Sequence, residues 1–243
     1  MKIFNKLENP TYVMSLSWPG STCSLKHCET LGKSNYFEIH GLWPENSMNC
    51  SRVNWKIKDL SEANKRDIPI YWNWMYNSEM GFINHELSKH GSCWNPHEAD
   101  LTLAPLCIAS VISNADLDSD HGRLNAYLQV PMAWSKHHDL HQVLVQGGIW
   151  PGEDTVSATQ VVRVFEDYFG VRGGIFPVCV SKHPKKHYFS EIRFCFDSNY
   201  RMVSCGEKTV ENHIKSCTER MLYPSFPKLE DDMSLSDLKV QSK

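Results

Sequence analysis

No stretch of the 243-residue chain approaches the 18 or more consecutive apolar residues from which a membrane-spanning helix is built. The first residues, MKIFNKLENPTYV, carry charge but no long apolar run, so they do not read as a secretory signal. CxxC pairs are missing, which argues against a zinc ribbon. Internal repeats, low-complexity tracts and an obvious linker are missing too, which points to one domain. Nor is there a basic stripe: 25 Lys and Arg face 28 Asp and Glu, for a net charge of -3 with neutral histidine. Nucleic-acid binding at neutral pH is therefore not advertised. What remains, 41% hydrophobic and 22% charged residues, is ordinary globular composition with enough apolar material for one large core.

Cysteine and histidine are plentiful instead. Nine cysteines stand at 23, 28, 50, 93, 107, 179, 195, 205 and 217. Their spread spacing favours disulfides and an oxidising compartment, so Met1 is expected to open either a chain trimmed of its leader or one whose start was supplied for expression. The odd count leaves one thiol unpaired or joined to another chain. Protonating all 12 histidines would carry the net charge from -3 to +9, with the crossover near about pH 6.5. A polyanion would then be held poorly at alkaline pH and well in acid. Simple surface exposure of many of these histidines is the competing explanation.

Along the chain, TYVMSLSW (11–18) alternates as a strand and stops at Pro19-Gly20, and YFEIHGLW (36–43) reads as a second strand ending at Pro44. Residues 57–76 look helical with a break at Pro69, and 82–90 helical with Gly91 as the stop. Residues 95–120 mix a Pro-rich, acidic stretch with the apolar LAPLCIASVI. Helical periodicity returns at 124–146 and 157–169. IFPVCV (175–180), YFSEIRFCF (188–196) and RMVSC (201–205) are strand-like, with a turn at Asp197-Ser198-Asn199. The polar tail from 228 to 243 is expected to fray. Helices and strands do not alternate regularly, so the class is α+β.

The densest chemistry lies in NHELSKHGSC (84–93), with His85, Glu86, Lys89 and His90 inside six residues. On a helix, Glu86, Lys89 and His90 stand at about 100°, 40° and 140° from His85, within one face. Zinc hydrolysis would want the two histidines four apart, as in HExxH. Here they are five apart and diverge by about 140°. A merely solvated polar face is the other alternative. A second cluster, His40-Gly41-Leu42-Trp43-Pro44, changes the balance. Two histidine sites with a lysine and a glutamate suit cleavage of RNA through its 2′-hydroxyl. That reaction asks for a base, an acid for the leaving 5′-oxygen, each worth about 10²–10⁴ in rate, and a cation for the charge that builds on phosphorus.

These residues carry a resemblance. FEIHGLWP (37–44) and HELSKHGSC (85–93) resemble the two active-site segments of the ribonuclease T2 family, the acid endoribonucleases, and YVMSLSWPGSTC (12–23) is similar to the family's first strand and turn. Weaker similarity runs through YLQV and DLHQVLVQGGI (127–149), FEDYFGV (165–171) and the later cysteines, covering most of 11–227. The resemblance implies an antiparallel sheet with helices packed on it, one catalytic domain over 11–227, and no metal or other cofactor. It implies His40 as general acid and His90 as general base, with His85 holding the phosphate. Glu86 and Lys89 would orient His90 and stabilise the charged intermediate. Trp43 would stack on a base, unless it is packed in the core, and Glu45 would stand beside the base pocket. The products would be a 2′,3′-cyclic phosphate and then a 3′-phosphate, from a single-stranded RNA substrate. The implied disulfides are Cys23–Cys28, Cys50–Cys93, Cys179–Cys217 and Cys195–Cys205, leaving Cys107.

The chain departs from the family at Leu87 and near Ile83, where aromatics usually stand, so a reshaped cleft wall is expected. Glu45 replaces an Asp or Asn. Residues 95–122 read as an insertion: a lid, a partner-binding element, or a dimer contact through Cys107. With the altered wall, this insertion motivates an alternative: a binding, signalling or toxin-like protein in which catalysis is secondary. The sequon Asn49-Cys50-Ser51 is expected to be hindered by a bridged Cys50. His137, His138 and His141 suit either a metal patch or, more simply, an exposed helix face. His183 and His187 flank a basic loop that either helps bind phosphates or is merely solvated. The expected location is secreted or lysosomal/vacuolar, with no membrane attachment.

Overall fold

The computed structural model describes residues 10–28, 35–45, 47–72, 79–183, 186–206, 209 and 217–226. The helical reading at 73–76, the loop at 184–185 and the polar tail at 228–243 lie outside the described residues. Among these, six strands form one sheet: β1 (Tyr12–Ser17), β2 (Glu38–Pro44), β3 (Thr155–Ser157), β4 (Ile175–His183), β5 (Lys186–Phe196) and β6 (Arg220–Leu222). β5 is the hub. β4 takes one of its edges antiparallel, from Ile175↔Phe194 to His183↔Lys186. β1 takes the other, from Tyr12↔Phe196 to Ser17↔Glu191, and carries β2 on its far side. The sheet is mixed rather than wholly antiparallel, because β6 meets β5 in parallel at Tyr188↔Leu222. Pro177 is accommodated because β4 pairs with β5 alone among the described strands, so its missing N–H faces away from the ladder.

The period-two alternation of β1 sorts its side chains between two cores. Tyr12, Met14 and Leu16 join the main core, against helices, while Val13 joins a small cluster on the other face with Phe176, Val178, Cys195 and Cys205. The helices are α1 (Pro19–Leu25), α2 (Glu62–Tyr71), α3 (Glu79–Lys89), α4 (Leu106–Ser113), α5 (Asp120–His137), α6 (Leu140–Gln146) and α7 (Ala158–Phe169). Side-chain caps start several of them: Ser61 on Asn64 N, Ser119 on Gly122 N, Asp139 on Gln142 N and Ser157 on Gln160 N. α5 is the most deeply set. Its Tyr127 hydroxyl donates to the Leu42 carbonyl at 2.7 Å, and its Trp134 packs on Phe194 and Phe196.

The structure departs from the sequence-based expectations at particular places. Pro69 does not break α2. It sits in the last turn, where only one helical hydrogen bond is forfeited before the helix ends at Tyr71. The helix expected over 124–146 is two, because Asp139 caps a new start. RMVSC forms only an isolated bridge, Phe196↔Met202, since the Cys195–Cys205 disulfide and Gly173 tie that segment elsewhere. Residues 95–122 are built into the fold through α4, whose Ile108 and Ile112 are buried in the main core. Disulfides join Cys23–Cys28, Cys50–Cys93, Cys179–Cys217 and Cys195–Cys205. Cys107 on α4 is a half-buried free thiol.

One connection determines where the site can form. The chain after β2 runs along α3 and is laced to it by side chains four residues apart, the spacing that repeats along one helix face. Asn84 pairs with both backbone groups of Trp55, at 2.7 and 3.0 Å. Ser88 does the same with Val53, at 2.8 and 3.1 Å. Ser92 accepts from Ser51 N at 3.0 Å, and the Cys50–Cys93 bridge closes the row. Asn84→Ala leaves both backbone groups of Trp55 without these partners, and is expected to cost about 1–3 kcal/mol in urea unfolding. The exposed Ser51→Ala is expected to stay within about 0.5 kcal/mol.

Candidate active site

The register between β1 and β2 slips at one residue. Ser15 lies opposite Gly41 and Leu16 opposite Ile39, so His40 is the extra residue of a β-bulge. Ile39 and Leu42 keep their places in the main core. The bulge instead turns His40 toward β5, where its Nδ1 lies 2.7 Å from Glu191 Oε1. Its own carbonyl accepts from Trp72 Nε1 at 3.2 Å, which holds the bulge from the core side. Gly41 is required here because a Cβ would collide with both Glu86 Oε2 and Trp43 Nε1.

α3 supplies the other wall. His40, Trp43, His85, Glu86, Lys89 and His90 line a single cleft of about 510 Å³, with Glu45, Met48 and Arg193 also on its walls. α3 ends at Lys89, so His90 leaves the helix. Its N–H still donates to the Glu86 carbonyl at 2.9 Å, which keeps the ring on the face predicted from the helical angles. Trp43 contacts both imidazoles. Its ring centre is 5.1 Å from that of His40, edge-on, and 5.4 Å from that of His90, tilted by 31°. The indole N–H donates to Glu86 Oε2 at 3.0 Å, and the Arg193 guanidinium lies over the ring at 4.8 Å.

Two buried carboxyls next to this cleft are driven in opposite directions. Burial dominates at Glu86 and, despite the attraction of His40 and the Trp43 hydrogen bond, pushes its carboxyl up to about 7. Burial also opposes ionisation of Glu191, but hydrogen bonds and charges from His40 and Arg193 outweigh it and hold this carboxyl well below the usual carboxylate range. Arg193 donates through Nη2 at 2.6 Å, and the Ser15 hydroxyl donates to the same oxygen, Oε2, at 2.9 Å. His40 shows the converse: burial would lower it, yet the hydrogen bond and charge of Glu191 leave it above an ordinary imidazole. His85 is lowered by burial, then by Lys89 and His40.

All five residues expected to be catalytic therefore meet in one cleft. Other expectations do not hold. Ile83 and Leu87 form no cleft wall; both are fully buried in the core. No residue of 95–122 lines the cleft. Ile108 and Ile112 of that segment enter the core, whereas Leu103 and Leu106 are exposed. His137, His138 and His141 neither converge on a metal nor share an exposed face. His137 is exposed, whereas His141 is buried, stacked on Trp18 and bonded to the Tyr223 hydroxyl. Glu45 lies on the cleft wall and accepts from Thr209 at 2.9 Å. Sequence reading missed Glu191 and Arg193, although the signal was present: two charges on alternate positions of the otherwise apolar YFSEIRFCF strand.

The chain matches the family model described as Ribonuclease T2 family over residues 10–205. It is similar to ribonuclease T2 of Sus scrofa, with 35% identity over 204 residues, 82% of this chain and 90% of that protein. Human RNase T2 has the same fold, with a TM-score of 0.63 at 19% identity, covering 90% of this chain and 100% of that one. A mutant of RNase MC1, solved in complex with 5′-GMP, aligns with a TM-score of 0.62 at 20% identity, covering 89% and 100% of the two chains.

Glu86 binds its proton more tightly in the fold than in an unfolded chain. Its contribution to stability is therefore full below the ordinary carboxylate pKa and is lost as pH rises through about 7. Glu86→Gln should abolish that loss. Urea-unfolding free energies measured across the range from acid to mildly alkaline pH should show the variant gaining roughly 2–3 kcal/mol on the wild type at the alkaline end. Gly41→Ala should force the Trp43–Glu86 pair apart and destabilise the fold by about 1–3 kcal/mol in the same assay.

Proposed function

The chain belongs to the ribonuclease T2 family and is an endoribonuclease, and we propose that it cleaves single-stranded RNA by transphosphorylation between His90 and His40. The observation that carries this reading is that the two imidazoles line one cleft and flank the same indole. His90 removes the proton of the 2′-hydroxyl, and the oxygen attacks the adjacent phosphorus. The bond from phosphorus to the 5′-oxygen breaks as that oxygen takes a proton from His40 Nε2. A 2′,3′-cyclic phosphate is left. Water then opens it to a 3′-phosphate, with His40 withdrawing a proton and His90 returning one. Geometry supports the assignment of acid to His40, because Glu191 engages Nδ1 and favours the cationic ring.

Lys89 supplies positive charge beside the phosphorane, where a fixed cation stabilises the charge that builds on phosphorus. His85 is exposed at the cleft, positioned to meet a phosphate oxygen. Glu86 acts on the site through the Trp43 N–H. Trp43 lines the cleft in contact with both histidines, and stacking of a base on an indole is worth about 1–3 kcal/mol. Glu45 faces the same space. The nucleotide seen in the complex of RNase MC1 with 5′-GMP supports a nucleotide-binding cleft on this fold. Four disulfides support an oxidising location, secreted or lysosomal/vacuolar. No described helix is long and apolar enough to cross a membrane.

The reaction asks for a cationic His40 and a neutral His90 together, so the rate should peak in acid and decline as pH rises through the raised titration of His40. RNA digestion in excess EDTA, with mass analysis of the ends, should yield 2′,3′-cyclic phosphates and then 3′-phosphates. His40→Ala and His90→Ala should each lose about 10²-fold or more in rate with the fold retained by circular dichroism. Chelator-sensitive cleavage that leaves 5′-phosphates, or a variant keeping most of its activity, would overturn the assignment.

A further inference from the structure

We propose that Glu191 and Arg193 form a positioning pair for His40: Glu191 Oε1 holds the ring by Nδ1, leaving Nε2 as the nitrogen that meets the substrate. This deepens the reading of His40 as the acid and rests on it. An ionised carboxylate only accepts, so the nitrogen 2.7 Å away must carry the proton. That contact fixes both the tautomer and the rotation of the ring.

The pair is built for this task rather than for holding the sheet. Glu191 and Arg193 sit two residues apart on β5, on the face that carries Ser15 of β1 and Cys195, opposite the main core. Each side chain is only 12% exposed. Glu191 Oε2 accepts from Arg193 and Ser15, while Oε1 meets His40 Nδ1. A buried ion pair contributes little net stability relative to apolar side chains of the same volume. What this pair does accomplish is orientation. The bulge brings His40 to the carboxylate, while the Arg193 guanidinium reaches over Trp43, which contacts both imidazoles.

The charges facing His40 come from two elements. Glu191 and Arg193 approach from β5, Glu86 and His85 from α3. Glu191 and Glu86 favour the cation; Arg193 opposes it. The two members of the pair therefore act on His40 with opposite sign, and this gives the proposal a signature that a structural role lacks. Glu191→Gln keeps an acceptor but removes the negative charge. It should move the alkaline limb of the kcat/KM–pH profile down by about one unit or more. It should also lower kcat tenfold or more near neutrality with KM little changed. Arg193→Met removes the opposing charge and should move the same limb up.

The experiment uses the full, disulfide-bonded chain, with a ribodinucleoside monophosphate as substrate and ring-¹⁵N histidine NMR as the second readout. In the wild type, the His40 signals should report protonated Nδ1 in the neutral ring, and its titration should shift down in Glu191→Gln and up in Arg193→Met. A limb and titration that move the same way in both variants, or in neither, overturn the proposal. Should Glu191→Gln fail to fold, an Arg193→Met limb that stays put or moves down is sufficient to overturn it. If the wild type proves inert on the dinucleotide, the catalytic reading fails, and the NMR titration still decides whether Glu191 holds Nδ1.

Discussion

The position of one indole constrains the rest of this site. Trp43 has an imidazole at its edge, another tilted against its ring, a guanidinium over it and a carboxyl on its N–H. Side chains from a strand and from the end of a helix have no intrinsic separation. One rigid ring in contact with both imidazoles ties them together, because an indole has few rotamers and cannot compress. The glycine beside it follows from the same requirement: there is no room for a Cβ between Trp43 and Glu86.

Holding the ring in place takes the combined support of both layers. From the main core, Trp72 bonds the His40 carbonyl and Tyr127 bonds that of Leu42, so β2 is pinned on both sides of Gly41. From the surface, the row Asn84, Ser88 and Ser92 ties α3 to the chain that leaves β2, and a disulfide ends the row. Strand and helix are thus tied to each other through contacts in both layers.

The two carboxyls show how partners decide whether burial prevails. Both are buried beside the same cleft, yet a guanidinium and an imidazole hold Glu191 toward the ionised form, whereas at Glu86 burial outweighs the indole N–H and draws the carboxyl toward the neutral form. A neutral Glu86 places no uncompensated negative charge beside the cleft.

Much of this could be read from the one-dimensional chain. Residue type and helical angle placed His85, Glu86, Lys89 and His90 on one face, and the alternation of TYVMSLSW and YFSEIRFCF announced the two central strands. Local rules suffice there, since the chemistry and the periodicity lie within a few residues. The bulge at His40, the burial of Ile83, Leu87 and His141, and the meeting of His40 with a glutamate 151 positions away lay beyond such reading. Strand register and packing depend on partners far along the chain, and no short window contains both sides of such a contact. The groups that line the cleft were therefore legible in the order of the residues, whereas their partners and surroundings came from the packing of β2, β5 and α3 against one another.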